Sequence, residues 1–189
     1  MHSCKNDKKA SENSADPVVY SIDSNHSSLQ WTAFKTNDKV PVKGTFKEIN
    51  IIKSSDGTTA AEALEGLEFE IPVSSIFTKD TIRDGKLNKF FFNVMENTLS
   101  LKGSFKINGD DKGAMSLTMN GVTKDLPFNY EMSQDTILVS ATMDLNHWQA
   151  QSAIESLNQA CLVLHTGPDG VSKTWDEVLL NAKILTVQK

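Results

Sequence analysis

The sequence predicts a mainly β protein: an antiparallel sandwich or closed barrel of about eight strands, with one or two short helices. Three observations carry this. From Val18 onward, apolar and polar residues alternate with a period of two. Turn dipeptides punctuate the alternation at Asp56-Gly57, Asn108-Gly109 and Asn120-Gly121. Only two stretches carry helical spacing instead.

The strands follow in order. Residues 18–23 form a first run, and 28–36 a second, with Leu29, Trp31 and Ala33 on one face. Residues 39–53 begin with Val40, Val42 and Phe46 on one face, then switch parity to Ile49 and Ile51. That slip predicts a bulge or bend near Glu48. Residues 67–73 alternate strictly through Leu67, Phe69, Ile71 and Val73, and residues 98–107 through Leu99, Leu101, Phe105 and Ile107. Residues 112–130 read as a hairpin, with Met115, Leu117 and Met119 on one arm and Leu126, Phe128 and Tyr130 on the other. Residues 136–145 carry Ile137, Val139, Ala141, Met143 and Leu145. Residues 175–187 are apolar on both faces for part of their length, as in a strand covered on both sides.

Two stretches depart from this. Residues 84–95 place Leu87, Phe90, Phe91 and Val94 on one helical face, with Asp84 as N-cap. In 152–168, Ser152 and Glu155 have capping-box spacing, and Ile154, Leu157, Cys161 and Leu164 form an apolar stripe that ends at Gly167-Pro168.

The chain of 189 residues suits one domain at 18–189 plus a tail at 1–17. The tail has almost no apolar side chains and reads as a disordered tether. Its Ser3-Cys4 start resembles that of a mature bacterial lipoprotein, with Cys4 as the lipid attachment. A net charge of −5 without a basic cluster argues against a nucleic-acid partner. No run approaches the roughly 18 apolar residues of a membrane span. Membrane association is therefore expected only through lipidation.

Chemistry-bearing motifs are sparse. His26, His147 and His165 show no metal-ligand spacing, and a site of His147, Cys161 and His165 is less favoured than ordinary core and surface roles. No nucleophile elbow, P-loop or dinucleotide fingerprint occurs, and no catalytic residue or cofactor is expected. The mixed-charge loop 78–86 reads as a polar lead into a helix, in preference to Arg83 or a nearby lysine meeting an anionic headgroup. The inward faces collect methionines and aromatics, which suit either plain core or an adaptable apolar pocket.

Four phrases, in order, carry a resemblance: YSIDSNHSSLQWTAFK at 20–35, VKGTFKEINI at 42–51, TIRDGKLNKFFF at 81–92 and GAMSLTMNGVTKDLPFNY at 113–130. Together they resemble the YceI-like family, the polyisoprenoid-binding, lipocalin-like bacterial domain. The resemblance implies an antiparallel, lipocalin-like β-barrel with an elongated pore. It implies an isoprenoid or fatty-acyl lipid as ligand, a periplasmic or envelope location, and no known reaction. The matched helix at 84–92 would cover the opening. The residues expected to line the pore are Trp31, Phe46, Phe69, Phe90, Phe91, Leu101 and Phe105, with Met115, Leu117, Met119, Phe128, Tyr130 and Met143. Phe92 joins Phe90 and Phe91 as a lid candidate. Two departures stand out: the stretch after the helix lacks the family's Tyr-Pro, and residues 146–174 hold an extra helical insert, as in a lipoprotein subgroup. A homodimer is compatible with this reading. The alternative is an envelope-tethered structural or interaction protein with a self-filled barrel.

Overall fold

A computed structural model describes residues 18–189. The expected tether 1–17, and with it Cys4, lies outside the described residues.

The first two runs are one strand, β1 (Tyr20–Lys35). Its register against the last strand slips between Asp23 and Ser28. Asp23 organises that bulge: its carboxylate accepts from the Asn25 N–H at 2.9 Å and contacts His26 Nδ1 at 2.7 Å. The break in alternation at 24–27 is therefore a bulge within a strand and not a turn between two.

The other strands are β2 (Val40–Phe46), β3 (Asn50–Lys53), β4 (Glu68–Pro72), β5 (Ile76–Phe77) and β6 (Ser100–Ile107). β7 (Lys112–Met119), β8 (Val122–Ser133), β9 (Thr136–Asp144) and β10 (Thr174–Gln188) follow. All neighbours are antiparallel, in the order β3-β4-β6-β7-β8-β9-β10-β1-β2-β5.

The two ends of this list meet. β2 and β3 are halves of one bent strand, broken at 47–49 where the phase slip predicts it. β4 and β5 are likewise halves of another. β2 pairs with β5 and β3 with β4, and the Lys47 N–H donates to the Ser75 carbonyl at 2.9 Å between the pairings. The sheet thus curls into an eight-stranded antiparallel barrel, and closure hides the edges that an open sheet would expose.

The hairpin turn between β7 and β8 has two residues, Asn120 (φ 54°) and Gly121 (φ 67°), the left-handed pair that suits tight hairpins. Asp56-Gly57 is not a hairpin turn. Gly57 exchanges backbone hydrogen bonds with Tyr20 at 2.7 and 3.0 Å, and helix α1 (Ala60–Leu64) follows.

Helix α2 (Thr81–Phe90) starts one turn earlier than expected, capped by Asp80. Asp84 lies inside its first turn and accepts from Thr78 N–H at 2.8 Å and Oγ1 at 2.6 Å. Residues 146–174, expected as an insert, hold α3 (Gln151–Ala160) and α4 (Leu162–His165). Ser152 is not the cap, because α3 begins directly from a turn through Ala150. The apolar stripe stops at Cys161, where the helix breaks, so Leu164 is exposed. Leu99 also departs from expectation. It precedes β6 and points to solvent, while its carbonyl accepts from Val73 N–H at 3.1 Å.

Asn120 does more than turn the hairpin. Its Oδ1 accepts from Glu96 N–H at 2.7 Å, and its Nδ2 donates to the carbonyls of Trp148 and Gln149 at 2.9 and 3.0 Å. Trp148, fully buried, donates Nε1–H to the Leu117 carbonyl at 2.9 Å. These bonds fix residues 148–149 on the end of the barrel, so that α3 packs beside α2 over the barrel opening.

Candidate functional site: an apolar cavity in the barrel

Alternation directs one face of every strand inward, yet the inward side chains do not fill the barrel. A cavity of about 180 Å³ remains, walled almost entirely by apolar atoms. β1 contributes Leu29, Trp31 and Ala33, and β10 contributes Val178, Leu180, Ala182 and Ile184. Leu87 of α2, Phe91 and Phe92 just beyond it, and Leu157 of α3 close the helical end.

Glycines keep the interior open. Trp31 and Gly44 are cross-strand partners, as are Phe69 and Gly103, and Phe128 and Gly113. In each pair the aromatic ring lies against the glycine: a Cβ would come within 2.2 Å of Trp31, 2.6 Å of Phe69 or 2.2 Å of Phe128. A ring laid along the wall covers bare backbone without projecting into the lumen.

Of the residues expected in the lining, Trp31, Phe46, Phe69, Phe91 and Leu101 line the cavity. So do Phe105, Met115, Leu117, Met119 and Met143. Phe90, Phe128 and Tyr130 do not. Phe90, half-buried at the last residue of α2, has Lys89 Nζ 5.1 Å from its ring. Phe128 is spent on covering Gly113 and stacks edge-on against Phe105 at 5.2 Å. Tyr130 is buried beside Phe128, ring centroids 6.1 Å apart, and donates its hydroxyl to the Gly109 carbonyl at 2.9 Å. β8 as a whole contributes nothing to the cavity wall. Sequence reasoning passed over Ala33, Ala141 and Ala182 because small residues offer no ligand contact of their own. Their smallness is what leaves the space.

The ends of the barrel differ in charge. At the end where β7 begins, burial, with Asp110 and Asp111 nearby, raises the Tyr130 hydroxyl above its ordinary value. At the helical end, His165 Nδ1 contacts Thr174 Oγ1 at 2.6 Å, and Thr174 Oγ1 donates to Asn158 Oδ1 at 2.9 Å. Burial, aided by Lys35 and Lys86, pushes His165 down to about 4, so the imidazole is neutral near pH 7. Arg83, on the first turn of α2, pairs with Asp80 at 3.5 Å.

His147 lies 4.0 Å from Asp144, whereas Cys161 is buried and His165 turns to Thr174. Among the described residues no cluster of three or more metal-ligating side chains occurs. No helix among them is long and apolar enough to cross a membrane.

The model of the YceI-like domain matches residues 20–184. This chain belongs to the YceI-like family. The YceI-like fold recurs at low identity in solved structures. One is a polyisoprenoid binding domain from Saccharophagus degradans implicated in plant cell wall breakdown. It has 15% identity and a TM-score of 0.65, over 90% of this chain and 98% of that one. Burkholderia cenocepacia BcnA has 16% identity and a TM-score of 0.56, over 88% and 99%. A Campylobacter jejuni YCEI protein has 20% identity and a TM-score of 0.53, over 78% and 85%. No curated protein matches the chain by sequence.

Proposed function

We propose that this YceI-like protein holds an isoprenoid-like or other amphiphilic lipid inside its barrel, for carriage or sequestration in the cell envelope. The observation that carries the reading is the apolar cavity itself. Its wall offers Met115, Met119 and Met143, whose flexible side chains adapt to a threaded chain, beside flat rings held back by glycines. Each buried CH₂ contributes roughly 0.8 kcal/mol, so such a site gains affinity from chain length and needs no catalytic group. The polyisoprenoid binding domain among the structural neighbours supports the same ligand class. A self-filled barrel is disfavoured by the space that Ala33, Ala141 and Ala182 leave. A periplasmic location, with Cys4 as the lipid anchor, belongs to the same proposal.

The test is lipid extraction and mass spectrometry of natively purified protein, followed by titration with a polyprenyl lipid while tryptophan emission is read. Trp31 and Trp175 line the cavity, so occupancy changes their emission. A preparation without apolar ligand, together with emission indifferent to the lipid, overturns the reading.

A further inference from the structure

We infer that the ligand's head is anionic, and that it is held at the helical end of the barrel by Lys35, Lys86 and the polar group around His165. The inference rests on the lipid-binding reading above and adds the chemistry of the head.

The argument begins on β1. Leu29, Trp31 and Ala33 point into the cavity, and Lys35 is the next residue of that face. An apolar series thus ends in a cation as it leaves the lumen. Lys86 precedes Leu87, which lines the cavity from α2. The two ammonium groups converge on residues 146–174: Lys35 Nζ donates to the Leu164 carbonyl at 3.0 Å, and Lys86 Nζ to the Ala160 carbonyl at 3.2 Å. Each bond uses one of three N–H groups, leaving two on each lysine for another acceptor. Thr174 joins the two regions, since it lines the cavity and also contacts His165.

The local charge is uncompensated. The charged groups that act on His165 are Lys35 and Lys86, with no carboxylate among them. Three acidic side chains of β10 and the loop before it are engaged elsewhere. Glu177 pairs with Lys39 at 3.1 Å, Asp176 accepts from Asn146 at 2.5 Å, and Asp169 accepts from Asn37 at 2.6 Å. Neither Lys35 nor Lys86 has a salt bridge among the described residues. At the opposite end of the barrel, where the Tyr130 hydroxyl meets the Gly109 carbonyl, Asp110 and Asp111 lie close by and disfavour an anion. An amphiphile with a phosphate or carboxylate head therefore has one favourable orientation: chain in the lumen, head at the seam of α2, α4 and the end of β1. Charge-assisted hydrogen bonds from two lysines give such a head its affinity.

The experiment compares farnesyl phosphate with farnesol on the delipidated full chain, by calorimetry at fixed salt. The expected result is that farnesyl phosphate binds tighter by about tenfold or more, and that K35M/K86M loses this preference while binding farnesol as before. K35R/K86R keeps the preference, which separates charge from packing. Equal affinity for the two ligands in the unmodified protein overturns the anionic head and leaves the lipid-binding reading standing. Failure of both to bind overturns that reading as well. Inorganic phosphate serves as the third arm: if it alone binds as tightly as farnesyl phosphate, the seam is a free-phosphate site and the lipid-head assignment is wrong.

Discussion

The indole of Trp31 lies flat against Gly44, its register partner on the neighbouring strand, so closely that a Cβ at position 44 would sit 2.2 Å from Cζ2. Trp31 is 6% exposed, and its ring forms cavity wall instead of core filling.

Gly44→Ala should drive the ring off the wall and into the lumen. A loss of about 1–3 kcal/mol is expected, as for other overpacked sites, with reduced lipid uptake. Gly85→Ala is the control. Position 85 is helical, has open space for a Cβ and is expected to gain up to about 1 kcal/mol. Urea denaturation of both variants checks the contrast. Equal effects would show that the Trp31 contact does not matter.

Ala141→Phe should fill the cavity from β9. Because it grows into empty space, its stability cost is expected below about 1.5 kcal/mol. Mass spectrometry of co-purified lipid should show a severalfold drop. Undiminished lipid would place the ligand elsewhere than the barrel.

Asn120→Gly keeps the left-handed turn but removes three hydrogen bonds, to Glu96, Trp148 and Gln149. A loss of about 1–3 kcal/mol is expected. Hydrogen exchange should speed up in 145–160 more than in β9 and β10. Uniform acceleration would argue that the side chain does not anchor residues 148–149.

The pH dependence follows from His165, which is held at about 4 by burial, Lys35 and Lys86, against an ordinary 6.5. Between these values the unfolded chain binds the extra proton and the folded chain does not, so stability rises with pH. The contribution is complete above about 6.5, fades as pH falls towards about 4, and changes no further below that. Hydrogen bonds from Ser21 to Asp56 and from Ser100 to Glu70 hold both carboxylates below their ordinary values. Their contributions are full above about pH 4.5 and fade below it, which leaves the window from about 6.5 to about 4.5 to His165. His165→Gln should flatten the melting temperature between about pH 6.5 and 4.5. An unchanged slope would show that His165 is not the group responsible.

Much of the barrel was legible because alternation is local. Whether Leu101, Phe105 or Met115 faces inward follows from parity alone, and the slip at Glu48 located the bend of β2 into β3. The bulge after Asp23 looks like a boundary in the sequence because a side-chain clamp and a turn both interrupt alternation in the same way. Leu99 and Leu164 were misplaced because parity and helical spacing continue past the residue where the element ends.

By itself, the sequence determined an all-antiparallel β chain, the inward face of each strand, the tight Asn120-Gly121 turn and the resemblance that places it in its family. Those properties rest on residue type and spacing along a few neighbouring positions. Only the tertiary structure decided that β2–β3 and β4–β5 bend to close the barrel, that Phe128 covers Gly113 while Trp31 walls a cavity, and that Lys35, Lys86 and His165 meet at one seam. Each of these depends on pairings between residues distant in the chain, and no local pattern encodes which distant residue arrives opposite.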